Sequence, residues 1–223
     1  AEEVKKMLKR WLFVATFLFS AVFMPAVSNA AQVHTVSYGD SMWKISVWYQ
    51  VGLSELIAAN PHIKNPSLIY PGQKITIPVI AEKNFENQVI QLTNQERAKH
   101  GLKPLKANWE LSRVARYKSM DMRDRNYFSH TSPTYGSPFT MIKNFGISYR
   151  AAAENIAAGQ TTPQQVVQAW MNSEGHRRNI LNPNYTEIGV GYAAGGTKRH
   201  YWTQMFITDK RKKAGTSGCF VFL

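Results

Sequence analysis

Apolar and polar positions change rhythm twice along the 223-residue chain. Residues 11–24 form an apolar run behind a basic patch of Lys5, Lys6, Lys9 and Arg10. The run stops at Pro25, and Ser28-Asn29-Ala30 places small residues where a signal peptidase cuts. It falls short of the ~20 residues that a spanning helix needs. The pattern predicts a secretory signal over residues 1–30 with Met7 as its natural start, an uncleaved anchor being the alternative.

The next stretch is short and dense in turn residues. Residues 34–38 alternate as a strand does. Gly39-Asp40 reads as a turn, and Asp40 or Ser41 as the cap of a helix carrying Trp43, Ile45 and Val47. Gly52 breaks that helix, and Ser54 is predicted to cap a second one over residues 55–59. Asn60-Pro61 and Asn65-Pro66 mark loops, Pro71-Gly72 a turn, and residues 74–78 a closing strand. Strand, helix, helix, strand in about 45 residues is small for an independent fold.

Residues 79–83 read as a linker, and from Asn84 the period lengthens. Phe85, Val89 and Leu92 fall at helical spacing, with Gly101 and Pro104 closing the segment. Asn108 is placed to cap a helix with Leu111, Val114, Ala115 and Met122 inward, and Ser137-Pro138 to open another. Thr162-Pro163-Gln164-Gln165 is a capping box with Pro at the first helical position. It opens a helix carrying Val166, Val167, Trp170 and Met171, predicted to run from Val166 to Glu174 with Gly175 as terminator. Two strand-like runs, 186–193 and 201–207, close the module around Gly195-Gly196. Helices followed by a hairpin argue an α+β fold, helices packed on an antiparallel sheet.

Composition adds an ordinary globular balance, 44% hydrophobic and 12% aromatic. The single cysteine, Cys219, rules out a disulfide framework within the chain. The net charge is +13, or +11 without residues 1–30, and draws an exported protein to anionic wall polymers. Nucleic acid is argued against, because no stripe of Arg with interleaved aromatics is present. Membrane contact is expected only through the signal segment. The basic run 210–213 opens a solvated tail, 210–223.

YGDSMWKI and NPHIKNPSLIYPGQKITIP, with the spacing between them, make residues 33–78 resemble a lysin motif (LysM) domain with a βααβ fold. The resemblance implies binding of N-acetylglucosamine-containing glycan, peptidoglycan or chitin-like, in a shallow groove. The matching positions are Gly39, Asp40, Ser41, Met42, Asn60, Pro61 and Ile63, with Met42 an apolar wall. LTNQERAKHGLKPL, YFSHTSP, AENIAAG, AWMNSEGHRRNILNPNYTEIGVGYA and YWTQMF make residues 84–209 resemble the CAP or SCP superfamily. That implies a three-layer α–β–α sandwich, of the disulfide-free kind found in Gram-positive cell-wall and spore-associated proteins.

The CAP resemblance also implies a cleft gathering His130, Glu154 and His176, with Glu174 a candidate second carboxylate. Three roles stay open for it: a polar cluster whose members satisfy one another, a zinc site on His130, Glu154 and His176, or acid–base chemistry. No nucleophile is evident, since Ser129 merely precedes His130. Asn155 is expected to hold its loop through backbone hydrogen bonds, and Trp170 and Trp202 to be core aromatics. Arg177 and Arg178 are expected to pair with Glu174 or meet helix-end carbonyls; His34, His62, His100 and His200 are expected at the surface. The resulting expectation is a secreted, wall- or spore-envelope-associated glycan binder. Catalysis on wall peptides or proteins, and lipid carriage, are the rivals.

Overall fold

The computed structural model describes residues 32–209; the expected signal segment and the tail with Cys219 lie outside them. Among the described residues no helix is long and apolar enough to cross a membrane.

A small lobe comes first: β1 (Gln32–Thr35), α1 (Met42–Trp48), α2 (Leu53–Ala58) and β2 (Lys74–Ile77). The two strands pair antiparallel, with His34 opposite Ile75. Ser41 caps α1, its hydroxyl accepting from the Lys44 N–H at 3.2 Å. At α2 the cap is Gly52, whereas Ser54 was expected; the Ser54 hydroxyl donates to Glu55 instead. Val36, Met42, Ile45, Leu56, Ile75 and Ile77 fill the interior. Burying side chains of this size is worth about 1.5–3 kcal/mol each. Trp43 points away from that core, 62% exposed. His34 is not the free surface residue expected: its ring nitrogens lie 3.0 Å from Asp40 Oδ2 and 3.2 Å from the Tyr49 hydroxyl.

The large lobe runs α3 (Lys83–Lys99), β3 (Lys106–Ala107), α4 (Trp109–Asp124), α5 (Pro138–Asn144), β4 (Tyr149–Ala158), α6 (Pro163–Asn172), α7 (Glu174–Ile180), β5 (Glu187–Ala194) and β6 (His200–Asp209). The sheet order is β3-β5-β6-β4, antiparallel except for β3 with β5. On β6 the two-residue period divides the interior. Trp202 and Phe206 pack with Val89 of α3 and with Val166 and Trp170 of α6, while Met205 and Ile207 pack with Leu111 of α4 and Met141 of α5. The result is helices on both sheet faces, the three-layer α+β arrangement expected. Gly189 and Gly191 on β5 let α4 lie against the strand: a Cβ there would meet the α4 backbone at 2.3 and 2.0 Å.

Two corrections bear on the site. β4 was not anticipated, because its alanine-rich stretch RAAAENIAA has weak strand propensity; pairing with β6 makes it a strand. Asn155 therefore sits on a strand and not in a loop. The predicted helix through Glu174 also ends early. Ser173 is extended (φ −99°, ψ 120°), and a new helix starts at Glu174, so Gly175 and His176 lie inside α7. Arg177 spans the corner, donating to the Met171 carbonyl at 3.0 Å.

The lobes meet directly. Arg113 of α4 donates to Glu55 Oε1 at 3.1 Å and to the Ser54 hydroxyl at 3.0 Å, and the Tyr117 hydroxyl donates to Glu55 at 2.9 Å. Lys83 donates to the Gln50 carbonyl at 2.8 Å, just past α1. A Cβ on Gly52 would strike Glu55 and Arg113, so that cap also permits the junction.

Candidate functional site

The larger lobe's candidate cleft forms at the free edge of the sheet, on β4. Glu154 lies there with its side chain 1% exposed, and His130 reaches it from the loop after α4, 54% exposed. His130 Nδ1 is 2.7 Å from Glu154 Oε1. Donation from Nδ1–H to the carboxylate leaves Nε2 of a neutral imidazole as an acceptor. The other oxygen, Glu154 Oε2, is buried without a hydrogen-bond partner. Burial pushes the Glu154 carboxyl above its ordinary range, against the opposing hydrogen bond from His130 and the charge of Lys118.

His176 enters from α7. Asn155 Nδ2 donates to the His176 carbonyl at 3.1 Å and to Gln204 Oε1 at 3.0 Å, and Asn179 donates back to Asn155 Oδ1 at 2.8 Å. Gln204 in turn donates to Thr93 of α3 at 2.8 Å. This buried chain pins α7 to the sheet, so Asn155 holds a neighbouring helix and not the loop expected of it. Burial holds the half-buried His176 imidazole below its ordinary range, helped by the nearby His130 charge. The structure thus brings His130 and Glu154 into contact, with His176 within electrostatic reach of His130.

Glu174 does not join them. Its side chain is 80% exposed and pairs with Arg178 one helical turn on. Among the described residues no group of three His, Cys, Asp or Glu side chains is gathered to hold a metal ion, and the Glu154 oxygen nearest His130 is already engaged.

Lys118 was overlooked. It lies on the inward stripe of α4 with Leu111, Ala115 and Met122 and is buried. Its ammonium donates to the Ser129 and His130 carbonyls at 2.7 and 2.8 Å. A lysine on an apolar helical face is the signal that marks it in the sequence. Asp121, one turn along, accepts from Tyr127 and Thr134 at 2.6 Å and from Ser132 at 2.7 Å. Together they set the loop that carries His130.

In the small lobe the loops after β1 and after α2 hold the positions implied for glycan. Gly39 is exposed with φ 86°, and Pro61 is exposed; Ser41 and Ile63 are half-buried. Asp40 turns back, accepting from the Ser37 N–H at 2.7 Å. Met42, expected as an apolar wall, is 3% exposed and belongs to the core. Asn60 is also buried, its amide donating to the Leu56 and Thr76 carbonyls at 2.8 Å and accepting from the Thr76 N–H at 2.7 Å. These two support the loops from beneath.

Comparison with known proteins agrees with this division. The model for the cysteine-rich secretory protein (CAP) family matches residues 90–206, and that for the LysM domain matches residues 34–78. Over 123 residues the chain is 64% identical to the uncharacterized protein YkwD of Bacillus subtilis, covering 55% of this chain and 47% of that protein. A 47-residue stretch, 21% of this chain and 12% of the relative, is 45% identical to the SpoIVD-associated factor A of B. subtilis. An extracellular protein containing a SCP domain from Bacillus anthracis superposes with a TM-score of 0.53 at 36% identity, covering 62% of this chain and 47% of that one. The chain spans about half the length of YkwD, and less of the other curated relatives it matches.

Proposed function

This chain belongs to the cysteine-rich secretory protein (CAP) family and carries a LysM domain ahead of the CAP module, and from that premise we propose that it is a secreted, wall-retained protein. The small lobe grips N-acetylglucosamine-containing glycan of peptidoglycan, and the large lobe presents a polar cleft without turning substrate over. One observation carries the reading: a complete small lobe whose Gly39 and Pro61 loops are open to solvent and braced from beneath by Asn60. A single shallow site implies weak affinity per glycan, so retention draws on many equivalent wall sites and on positive charge. A spore envelope and a vegetative wall offer the same glycan. The full chain is expected to cosediment with purified peptidoglycan, and deletion of residues 33–78 to abolish this; retention that survives the deletion overturns the reading.

A second reading rests on Glu154, whose unpartnered Oε2 and raised carboxyl suit a general acid beside His130. It requires soluble wall products that disappear in Glu154→Gln and His176→Ala. Product release that persists in both variants removes it.

A further inference from the structure

The tryptophans are of two kinds. Trp170 and Trp202 are buried, and their indole N–H groups are spent on backbone, donating to the Ile156 carbonyl at 3.2 Å and the Gln160 carbonyl at 2.8 Å. Trp43 is exposed and Trp109 half-buried, and neither indole N–H has a hydrogen-bond partner among the described residues. Both line one crevice of about 100 Å³ where the lobes meet. Trp43 comes from α1, Leu53 from the start of α2, Trp109 and Glu110 from the start of α4, and Phe145 from just past α5.

The crevice is built rather than left open by chance. The Arg113 guanidinium in its wall lies 5.6 Å from the Phe145 ring centroid and is tied to Glu55 and Ser54. Gly52 also lines it, at the point where a Cβ would strike Glu55 and Arg113. Glu110 is exposed and has no cation at ion-pair distance among the described residues. A concave, mostly aromatic surface with a few polar groups, set between two lobes, is the usual form of a small-ligand site.

These walls set the chemistry of the guest. Three aromatic rings and Leu53 call for apolar C–H groups, which the electron-rich ring faces attract. The two indole donors call for acceptor oxygens, and the Glu110 carboxylate for a donor. A wholly apolar guest such as an acyl chain would cover the donors without pairing them, at a cost of about 1–3 kcal/mol each. An N-acetylated sugar meets every demand: its ring face and acetyl methyl are apolar, its acetamido carbonyl accepts, and its amide N–H and hydroxyls donate. The location agrees, because Trp43 follows Ser41 of the open small-lobe loop by two residues. We propose that this crevice holds one N-acetylhexosamine unit of wall glycan, a second contact beside the Gly39 and Pro61 loops. The inference rests on the glycan-binding reading of the small lobe and brings the large lobe into the same recognition through Trp109 and Glu110.

The test titrates the ¹⁵N-labelled full chain with chitotetraose, a tetramer of N-acetylglucosamine, and follows the indole Nε1–H signals. The Trp43 and Trp109 signals are expected to shift, and those of Trp170 and Trp202 to stay. Trp109→Phe, which keeps an aromatic ring and removes the donor, is expected to bind about fivefold more weakly, the size of one neutral hydrogen bond. Glu110→Ala changes an exposed side chain, so it spares the fold, and it is expected to weaken binding by about as much. Cellotetraose, which has hydroxyls in place of the acetamido groups, should move the two indole signals far less, as should octanoate. A Trp109 signal that stays put, an unchanged affinity in either variant, or an equal response to cellotetraose or octanoate overturns the proposal. The Gly39 and Ser41 amides report the small-lobe groove separately. Their shift with a still Trp109 signal removes the crevice alone, and their failure to shift removes the small-lobe reading.

Discussion

In the small lobe the buried polar residues are Ser46 and Asn60, both neutral and both spent on nearby backbone: Ser46 donates to the Trp43 carbonyl, and Asn60 braces Leu56 and Thr76. In the large lobe Glu86, Arg97, Lys118, Asp121, Glu154 and Glu187 are buried. Several of these tie segments far apart in sequence. Arg97 donates to the Ile180 and Asn182 carbonyls at 2.7 and 2.9 Å, and Glu86 accepts from Arg116 at 2.7 Å and from the Tyr192 N–H at 3.2 Å. The small lobe is held by a compact apolar interior. The large lobe adds buried charge to bind helices to sheet, and the same practice supplies its cleft. Buried charges cost several kcal/mol each to desolvate unless partnered, so the large lobe is the one that single polar substitutions should break.

The largest effect is expected from Glu86→Ala, which strands Arg116 with 11% of its side chain exposed. Removing one partner of a buried pair costs about 3–5 kcal/mol. Urea unfolding of the full chain measures it. A loss below about 1 kcal/mol, the level of a surface ion pair, would erase the contrast between the lobes.

Lys118→Met comes next. It keeps the side-chain length and removes the donor shared by the Ser129 and His130 carbonyls, for a loss of about 1–3 kcal/mol. Hydrogen exchange should rise in residues 127–134 and stay unchanged in residues 32–78. A uniform rise would mean that Lys118 supports the whole lobe and not the His130 loop in particular.

The same contrast explains what could be read in the sequence. The small lobe is one contiguous segment, so its turns, Ser41 cap and closing strand were legible, as were the Asn108, Ser137 and Thr162 caps of the large lobe. Resemblance located His130, Glu154 and His176, but spacing alone could not join them. The His130–Glu154 contact depends on β4, whose alanines hide it, and the placing of His176 on the α6–α7 corner at Ser173, where Gly175 suggests a helix end. Met42 and Asn60 were misassigned to the groove surface for a related reason. Sequence positions name a loop, but not which of its side chains turn inward.

Asp121 sharpens the comparison through pH. Burial pushes its carboxyl up, but the hydrogen bonds of Thr134, Tyr127 and Ser132, with the Arg125 charge, outweigh burial and hold it below the ordinary range. A depressed folded value means that the unfolded state binds the proton first. The stabilisation is therefore complete above the unfolded value of about 3.9 and is lost as pH falls through the folded one. Asp121→Asn should flatten the stability profile of the large lobe below about pH 4 and leave the neutral-pH fold intact. An equally steep acid limb in the variant would place the titrating group elsewhere.

The smallest effect expected lies where the two lobes touch. Glu55 is pushed up by burial, yet Ser54, its backbone and Arg113 pull it down further, and Arg113 and Glu55 each keep about a quarter of their side chains exposed. Solvent screening at that exposure limits the pair to about 0.2–1 kcal/mol. Arg113→Ala should therefore barely move the unfolding midpoint of either lobe. It also removes the Ser54 contact and the guanidinium over the Tyr117 ring, 5.3 Å from its centroid. The observable is then orientation: ¹⁵N relaxation should give one tumbling time for the parent and two for the variant, with peptidoglycan cosedimentation unchanged. A single tumbling time in Arg113→Ala would mean that Lys83 on the Gln50 carbonyl suffices to couple the lobes. Two times in the parent would mean that glycan held by the small lobe leaves the His130 cleft free to sample any direction from the wall.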